Sequence, residues 1–275
     1  MLTKFESEVS HGGRFEFGRN WSSFLDVLNN ERIEEAGNSL RTMLGVDDLE
    51  NKTFLDIGSG SGLFSLAARQ LRAKVVSFDY DPKSVVCARE LKRRYFPEDK
   101  DWIIEEGSAL DRSYLSGLGQ FDFVYSWGVL HHTGDMWKAL ENVAPLVSEG
   151  GTLFIAIYND QQYISRIWLQ VKKLYNQGVL GRTLIKTLYY PWFAIQAMII
   201  GVIKEGNPIV KFSDYKRERG MSILHDWKDW LGGYPFEVAK PEELLRFYRA
   251  KGFDLVNMVT TNRLGCNQMV FKKKF

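Results

Sequence analysis

The run Phe54-Leu-Asp-Ile-Gly-Ser-Gly-Ser-Gly62 constrains this chain more than any other stretch. A short apolar segment reads as a buried strand, and a helix-like pattern begins at Leu63. Between them stand glycines at every second position. Glycine lacks a Cβ, so the chain can reach positive φ there and a ligand can approach the backbone closely. The following helix then points unpaired N–H groups at a polar or anionic ligand. Asp79 ends the next strand candidate, 17 residues after Gly62. A carboxylate in that place can accept hydrogen bonds from ribose hydroxyls.

A dinucleotide-binding turn reads G-x-G-x-x-G. Here Leu63 occupies the third glycine's place, and Gly62 comes one residue early. Asp56 would repel a pyrophosphate and attract a ligand bearing a positive charge and an amine. S-adenosylmethionine carries a sulfonium and an α-ammonium.

From Thr53 the chain alternates strand and helix patterns. Strands are expected at 53–57, 74–79, 102–105, 121–126 and 151–157, and helices near 63–72, 82–94 and 136–146. This order implies a parallel sheet covered by helices on both faces. A helix at 241–251 and strands at 253–260 and 268–272 close the chain. Residues 1–50 form a mostly helical extension, and 159–235 interrupt the alternation. Residues 51–158 and 236–275 are therefore expected to make one domain, with 159–235 as a mainly helical lid. Hydrophobic residues at 45% and charged residues at 25% exclude a disordered or fibrous chain. Two cysteines exclude a disulfide framework and suit a reducing, cytoplasmic setting. Met1–Leu25 mix acids and bases without an apolar run, so no signal peptide is expected.

The turn resembles the first motif of the class I S-adenosylmethionine-dependent methyltransferases. The resemblance covers residues 50–157 and, more weakly, 236–275. It implies a Rossmann-like α/β fold with a seven-stranded, mostly parallel sheet whose last strand is antiparallel. It implies that Asp56, Gly58, Ser59, Gly60 and Gly62 line the methionine end of the cofactor. Asp79 matches the family's ribose acid, and Tyr80 would pack on the adenine. Ser108 and Ala109 match the adenine-edge loop, with Ser108 replacing the usual Asp. The run from Phe121 to His132, with Ser126 and Trp127, matches the fourth strand and its catalytic loop, and Gly150-Gly151 precede the fifth strand.

Within the class, the sequence looks most like the small-molecule group that includes the ubiquinone O-methyltransferases. That group carries E-x-x-E-H after strand four, tied to a divalent metal. This chain has Gly128-Val-Leu-His131-His132 there. Mg²⁺ prefers oxygen ligands, so metal-independent chemistry is expected. Asn29-Asn-Glu-Arg32 matches the group's N-P-L-R segment loosely, which would bring Arg32 near the cofactor. Trp21 or Phe17 would cover the cofactor as a flap, or merely dock the N-terminal segment. Methyl transfer is an in-line displacement in which the protein chiefly aligns the nucleophile. Either His131 or His132 serves as general base, with His131 the first candidate, or the pair orients the loop. Trp127, where the strand ends, is expected to meet the acceptor, and Tyr125 to pack in the core.

The 77-residue insertion leaves the sheet beside this site. Tyr158, Asn159, Tyr163, Trp168, His225 and Tyr234 are candidate acceptor contacts. The expected acceptor is a small or medium-sized phenol, sugar or natural product, methylated on a hydroxyl. RNA or protein methylation, and a non-catalytic binding subunit, are the alternatives. DNA is not expected, because Ser126-Trp-Gly-Val stands where DNA amino-methylases carry N/D-P-P-Y. The net charge of +2 hides an uneven distribution, with +7 in 161–219 and −5 elsewhere. Three readings compete for the 17 uncharged residues from Thr187 to Ile203. They form a buried lid or homodimer helix pair, a peripheral membrane contact, or a membrane span. Turnover unchanged by EDTA is the expected outcome for the metal-free reading. Activity lost in EDTA and regained with Mg²⁺ would overturn it.

Overall fold

Strand β1 (Thr53–Ile57) lies in the middle of the sheet because both its faces are apolar. The computed structural model describes residues 3–18, 21, 25, 28–207 and 223–275, without the side chains of 204–205 and 223–226. Around β1 run β2 (Lys74–Asp79), β3 (Trp102–Glu106), β4 (Phe121–Trp127), β5 (Val147–Tyr158), β6 (Phe253–Val259) and β7 (Cys266–Lys273). Their spatial order is β3-β2-β1-β4-β5-β7-β6, a seven-stranded sheet. β1 to β5 pair in parallel. β7 runs antiparallel to both β5 and β6.

Side-chain alternation divides the core between the two faces. Leu55, Ile57, Val124, Leu153, Ile155, Met269 and Phe271 belong to one cluster. Phe54, Tyr125, Phe154 and Val270 belong to the other. Three helices close the first face: α5 (Arg112–Leu118), α6 (Met136–Val143) and α10 (Pro241–Ala250). α2 (Asn30–Leu44), α3 (Leu63–Gln70) and α4 (Pro82–Tyr95) close the second. The seven-residue α5 is not foreseen by the sequence pattern. Asp111 caps it by accepting from Ser113 N and Tyr114 N, which supports a helix too short to show a period.

The strand order reverses between β1 and β4, so a crevice opens where their carboxyl ends diverge. The N-terminal segment, with α1 (Lys4–Ser10), crosses that end of the sheet. Residues 159–235 supply α7 (Tyr163–Asn176), α8 (Val179–Glu205) and α9 (Ile223–Gly232). Phe15, Val171, Tyr175, Ile185 and Leu231 form their small core. Lys172 is fully buried there. Its ammonium donates to the Trp230 carbonyl and sits 4.5 Å from the Trp230 ring centre. Burial lowers its pKa to about 7. Asn176 Nδ2 adds a bond to the Gly232 carbonyl at 2.7 Å, so α7 and α9 are joined by polar contacts inside an aromatic cluster. Only part of α8 is covered. Ile185 and Ala197 are buried, whereas Leu180, Leu188 and Ile199 face solvent. Among the described residues, no helix is long and apolar enough to cross a membrane.

Gly62 has φ +83°, and a Cβ there would lie 2.9 Å from the Ala88 backbone. Gly62→Ala is expected to remove about 2–4 kcal/mol of stability in urea unfolding, from left-handed strain plus overlap with α4.

The candidate active site

The crevice at the carboxyl edge is a cleft of about 920 Å³ with two ends. One end is built from the glycine turn and the tips of β2 and β3. Asp56, Gly58, Ser59, Gly60, Asp79, Tyr80, Ser108 and Ala109 all line it, as does Trp21. A Cβ at Gly58 would strike the Val129 side chain at 2.2 Å, and one at Gly60 would press on the Trp21 indole at 3.1 Å. These glycines are therefore needed for close approach as well as for positive φ.

The carboxylates are tuned by their surroundings. Asp56 is buried and accepts from Ser65 Oγ at 2.5 Å. Burial raises its pKa to about 7 despite that bond. Asp79 accepts from Gly60 N and Asp81 N, each at 2.8 Å, so it braces the glycine turn. Burial still raises it to about 6. Ser59 Oγ and Tyr125 Oη are buried without a partner among the described residues. An acid held out of water next to unpaired hydroxyls fits a ligand with an ammonium and a carboxylate, as in the methionine part of S-adenosylmethionine.

An N-terminal strap closes over this end. The Arg14 guanidinium donates to the carbonyls of His132 (2.8 Å) and Thr133 (3.2 Å) and to Glu8 (2.8 Å). It lies 4.9 Å from the centre of the Tyr80 ring. Gly18 N donates to Asp81 Oδ2 at 2.7 Å, and Phe15 N to the Tyr234 carbonyl at 2.8 Å. The strap thus joins β2, the loop after β4 and the end of the insertion. The sequence marks residues 14–21 only as an aromatic run. Arg14 gives no signal there, because two of its three partners are carbonyls over a hundred positions away.

The other end is walled by rings: Trp127, Tyr158, Phe193, Trp227 and Trp230, with Phe17 from the strap. Asp229, Cys266 and Gln268 supply polar groups. Trp127 is 44% exposed and donates from its indole to Gln268 Oε1 at 3.2 Å. Phe193, Asp229 and Gln268 escape the sequence reading, since only the folding of α8, α9 and β7 brings them together.

His132 lines the cleft, and its Nδ1 lies 2.6 Å from the Pro235 carbonyl. A carbonyl only accepts, so Nδ1 carries the proton and Nε2 the lone pair. Burial lowers its pKa to about 3, so the ring is neutral. His131, the first candidate from sequence, is fully buried and does not line the cleft. Its ring stacks 4.0 Å from that of Tyr158, and Nδ1 accepts from Tyr158 N at 3.2 Å.

Other expected residues also lie off the cleft, each for a local reason. Gly62 packs on α4. Ser126 is buried and donates to the Ile57 carbonyl at 3.0 Å, fastening β4 to β1. Arg32 lies in the first turn of α2, where Asn29 caps the helix by accepting from Arg32 N. The Asn29–Arg32 spacing is therefore met by a helix cap. Asn159 accepts from Asn267 Nδ2 at 3.0 Å, and Trp168 packs between Tyr189 and Trp230. Tyr163 points to solvent. Tyr234 meets the strap through its carbonyl. The side chain of His225 lies outside the described residues. Among the described residues, no three His, Cys, Asp or Glu side chains converge as a metal site.

Sheet order, glycine turn and paired carboxylates define a class I S-adenosylmethionine-dependent methyltransferase fold. Residues 28–193 match the family described as Methyltransferase domain, and the chain belongs to that family. Similar curated proteins include the ubiquinone biosynthesis O-methyltransferases of Caulobacter vibrioides and Xanthomonas campestris pv. campestris. The first is 30% identical over 116 residues, 40% of this chain and 42% of that protein. The second is 28% identical over 168 residues, 50% of this chain and 66% of that protein. The chain thus spans less than two thirds of the length of either. Two solved structures share the fold. Magnesium protoporphyrin IX methyltransferase of Synechocystis PCC 6803, with bound SAH, has a TM-score of 0.51 at 14% identity, covering 100% of this chain and 89% of that one. A putative methyltransferase in complex with the Haloferax volcanii Trm112 activator has a TM-score of 0.54 at 15% identity, covering 96% and 98%.

A cationic amine bound beside Asp56 requires the ionised carboxylate. Affinity for S-adenosylhomocysteine is therefore expected to rise as pH climbs through about 7 and to level above it. Calorimetry across that range checks this, and Asp56→Asn should flatten the dependence.

Proposed function

We propose that this chain transfers a methyl group from S-adenosylmethionine to a hydroxyl of a small or medium-sized acceptor bearing a flat or apolar surface. The observation that carries this reading is that one cleft joins the glycine turn to a ring-lined chamber, with a neutral His132 on its wall. Bound at the turn, the cofactor supplies an electrophilic methyl group, so little activation of the acceptor is needed. Trp127, Tyr158, Trp227 and Trp230 hold the acceptor by ring contacts and exclude water. The Pro235 carbonyl keeps the proton on His132 Nδ1, leaving Nε2 to accept a hydrogen bond from the acceptor hydroxyl. With so low a pKa, His132 orients that hydroxyl more than it ionises it. His131 supports the loop by stacking on Tyr158.

The names of the curated relatives favour a phenolic acceptor of the ubiquinone type over a sugar. The test is methyl transfer from methyl-labelled cofactor to a panel of catechols, simple phenols, sugars and aromatic carboxylic acids. Label on a phenol that withstands alkali is the expected result, because an ether survives where a methyl ester hydrolyses. Label only on carboxylates, or on RNA or protein, would overturn the proposal. His132→Ala is expected to lower kcat on the order of a hundredfold through lost alignment of the hydroxyl, while His131→Ala acts chiefly on stability.

A further inference from the structure

We propose that α8 docks on the surface of an anionic phospholipid bilayer through its solvent-facing apolar row. This goes beyond the methyl-transfer reading and does not depend on it. α8 has 27 residues and is about 40 Å long. Leu180, Leu184, Leu188, Trp192, Ile195 and Ile199 recur at spacings of three and four, which places them in one stripe. Their exposure runs from 47% to 87%, and Ile203 prolongs the row at 77%. The other face of the helix is anchored. Ile185 and Ala197 are buried, and the ring of Phe193 lies 5.5 Å from that of Trp227. α8 is therefore held to the fold along one face and presents its other face to water.

A continuous apolar row of this length is more than a monomer in water usually exposes. The charge of the surrounding segment selects what covers it. Residues 161–203 contain five Lys or Arg and no Asp or Glu. Arg166, Lys173 and Arg182 are exposed. A second copy would bring like charges together, whereas an anionic lipid surface attracts each of them. α8 does not meet the requirements for crossing a bilayer. A helix with an apolar face, a basic setting and an interfacial tryptophan rests in the plane of the headgroups. Trp192 faces solvent and the next residue, Phe193, lines the cleft. The docked face and the acceptor chamber thus share one helix.

Flotation of the full chain with vesicles tests the proposal. The protein is expected to float with vesicles of phosphatidylcholine mixed with phosphatidylglycerol, and far less with phosphatidylcholine alone. Arg166→Ala and Lys173→Ala should each weaken binding about fivefold. Leu188→Glu and Ile199→Glu change solvent-facing positions and should abolish flotation while S-adenosylhomocysteine affinity, read by calorimetry, is kept. No flotation of the unaltered chain with the anionic vesicles overturns the proposal, as does undiminished flotation of both Glu variants. A dimer in sedimentation that Leu188→Glu dissolves, with no flotation, assigns the row to a second copy instead.

Discussion

Two carboxylates near the carboxyl ends of adjacent strands, Asp56 buried and Asp79 half-buried, are the constraint on which the rest of the site depends. Asp56 is the last but one residue of β1 and Asp79 the last of β2, and burial raises both above the usual carboxylate range. Such groups persist only where the surroundings offer donors. Asp79 takes two backbone N–H groups, one of them from Gly60. The glycine turn is thus shaped by an acid on the neighbouring strand as much as by its own lack of side chains. Asp56 is held by Ser65, through its hydroxyl and its backbone N–H, and keeps the more strongly raised value. A buried acid with so raised a value favours a cationic group beside it.

The two halves of the cleft are coupled through the N-terminal strap. A guanidinium presents several donors in a rigid fork. Arg14 uses that fork to hold the carbonyls of His132 and Thr133 while its flat face covers Tyr80. The same loop is held from the insertion side by the Pro235 carbonyl and by Glu237, which accepts from Met136 N and Gly134 N. The loop that carries His132 is therefore clamped by segments from both ends of the chain. Its imidazole tautomer follows from packing of the insertion rather than from any neighbour in sequence.

The sheet was legible early. β1 and β2 fall where alternation and glycine punctuation place them, because a strand buried on both faces announces itself by a short apolar run. The glycine-turn end of the cleft was legible for the same reason, since Asp56, Gly58, Gly60 and Asp79, which line it, all sit within the β1–β2 unit. The ring-lined end was not. Tyr158 and Trp127 flank strand ends and were foreseeable, whereas Phe193, Asp229 and Gln268 come from three distant elements. Tyr163 and Trp168 carry the same ring chemistry, yet α7 turns one to solvent and the other into the small core. His131 and His132 are adjacent in sequence and differ in position, because a 3-10 turn at Leu130–His132 sends one ring behind Tyr158 and leaves the other on the cleft wall.

Local physics therefore determined the strands, the turn and the class of cofactor. Steric freedom at glycine, apolar runs and acids at strand ends act over a few residues, and their spacing survives in the sequence. Tertiary structure decided which histidine lines the cleft, what Arg14 holds and which face of α8 stays in water. Those outcomes depend on contacts between segments a hundred or more residues apart, or on which side of a helix finds a neighbour. A one-dimensional pattern records that a helix has an apolar row. Only packing decides whether that row is covered by the protein itself, and in α8 it is not.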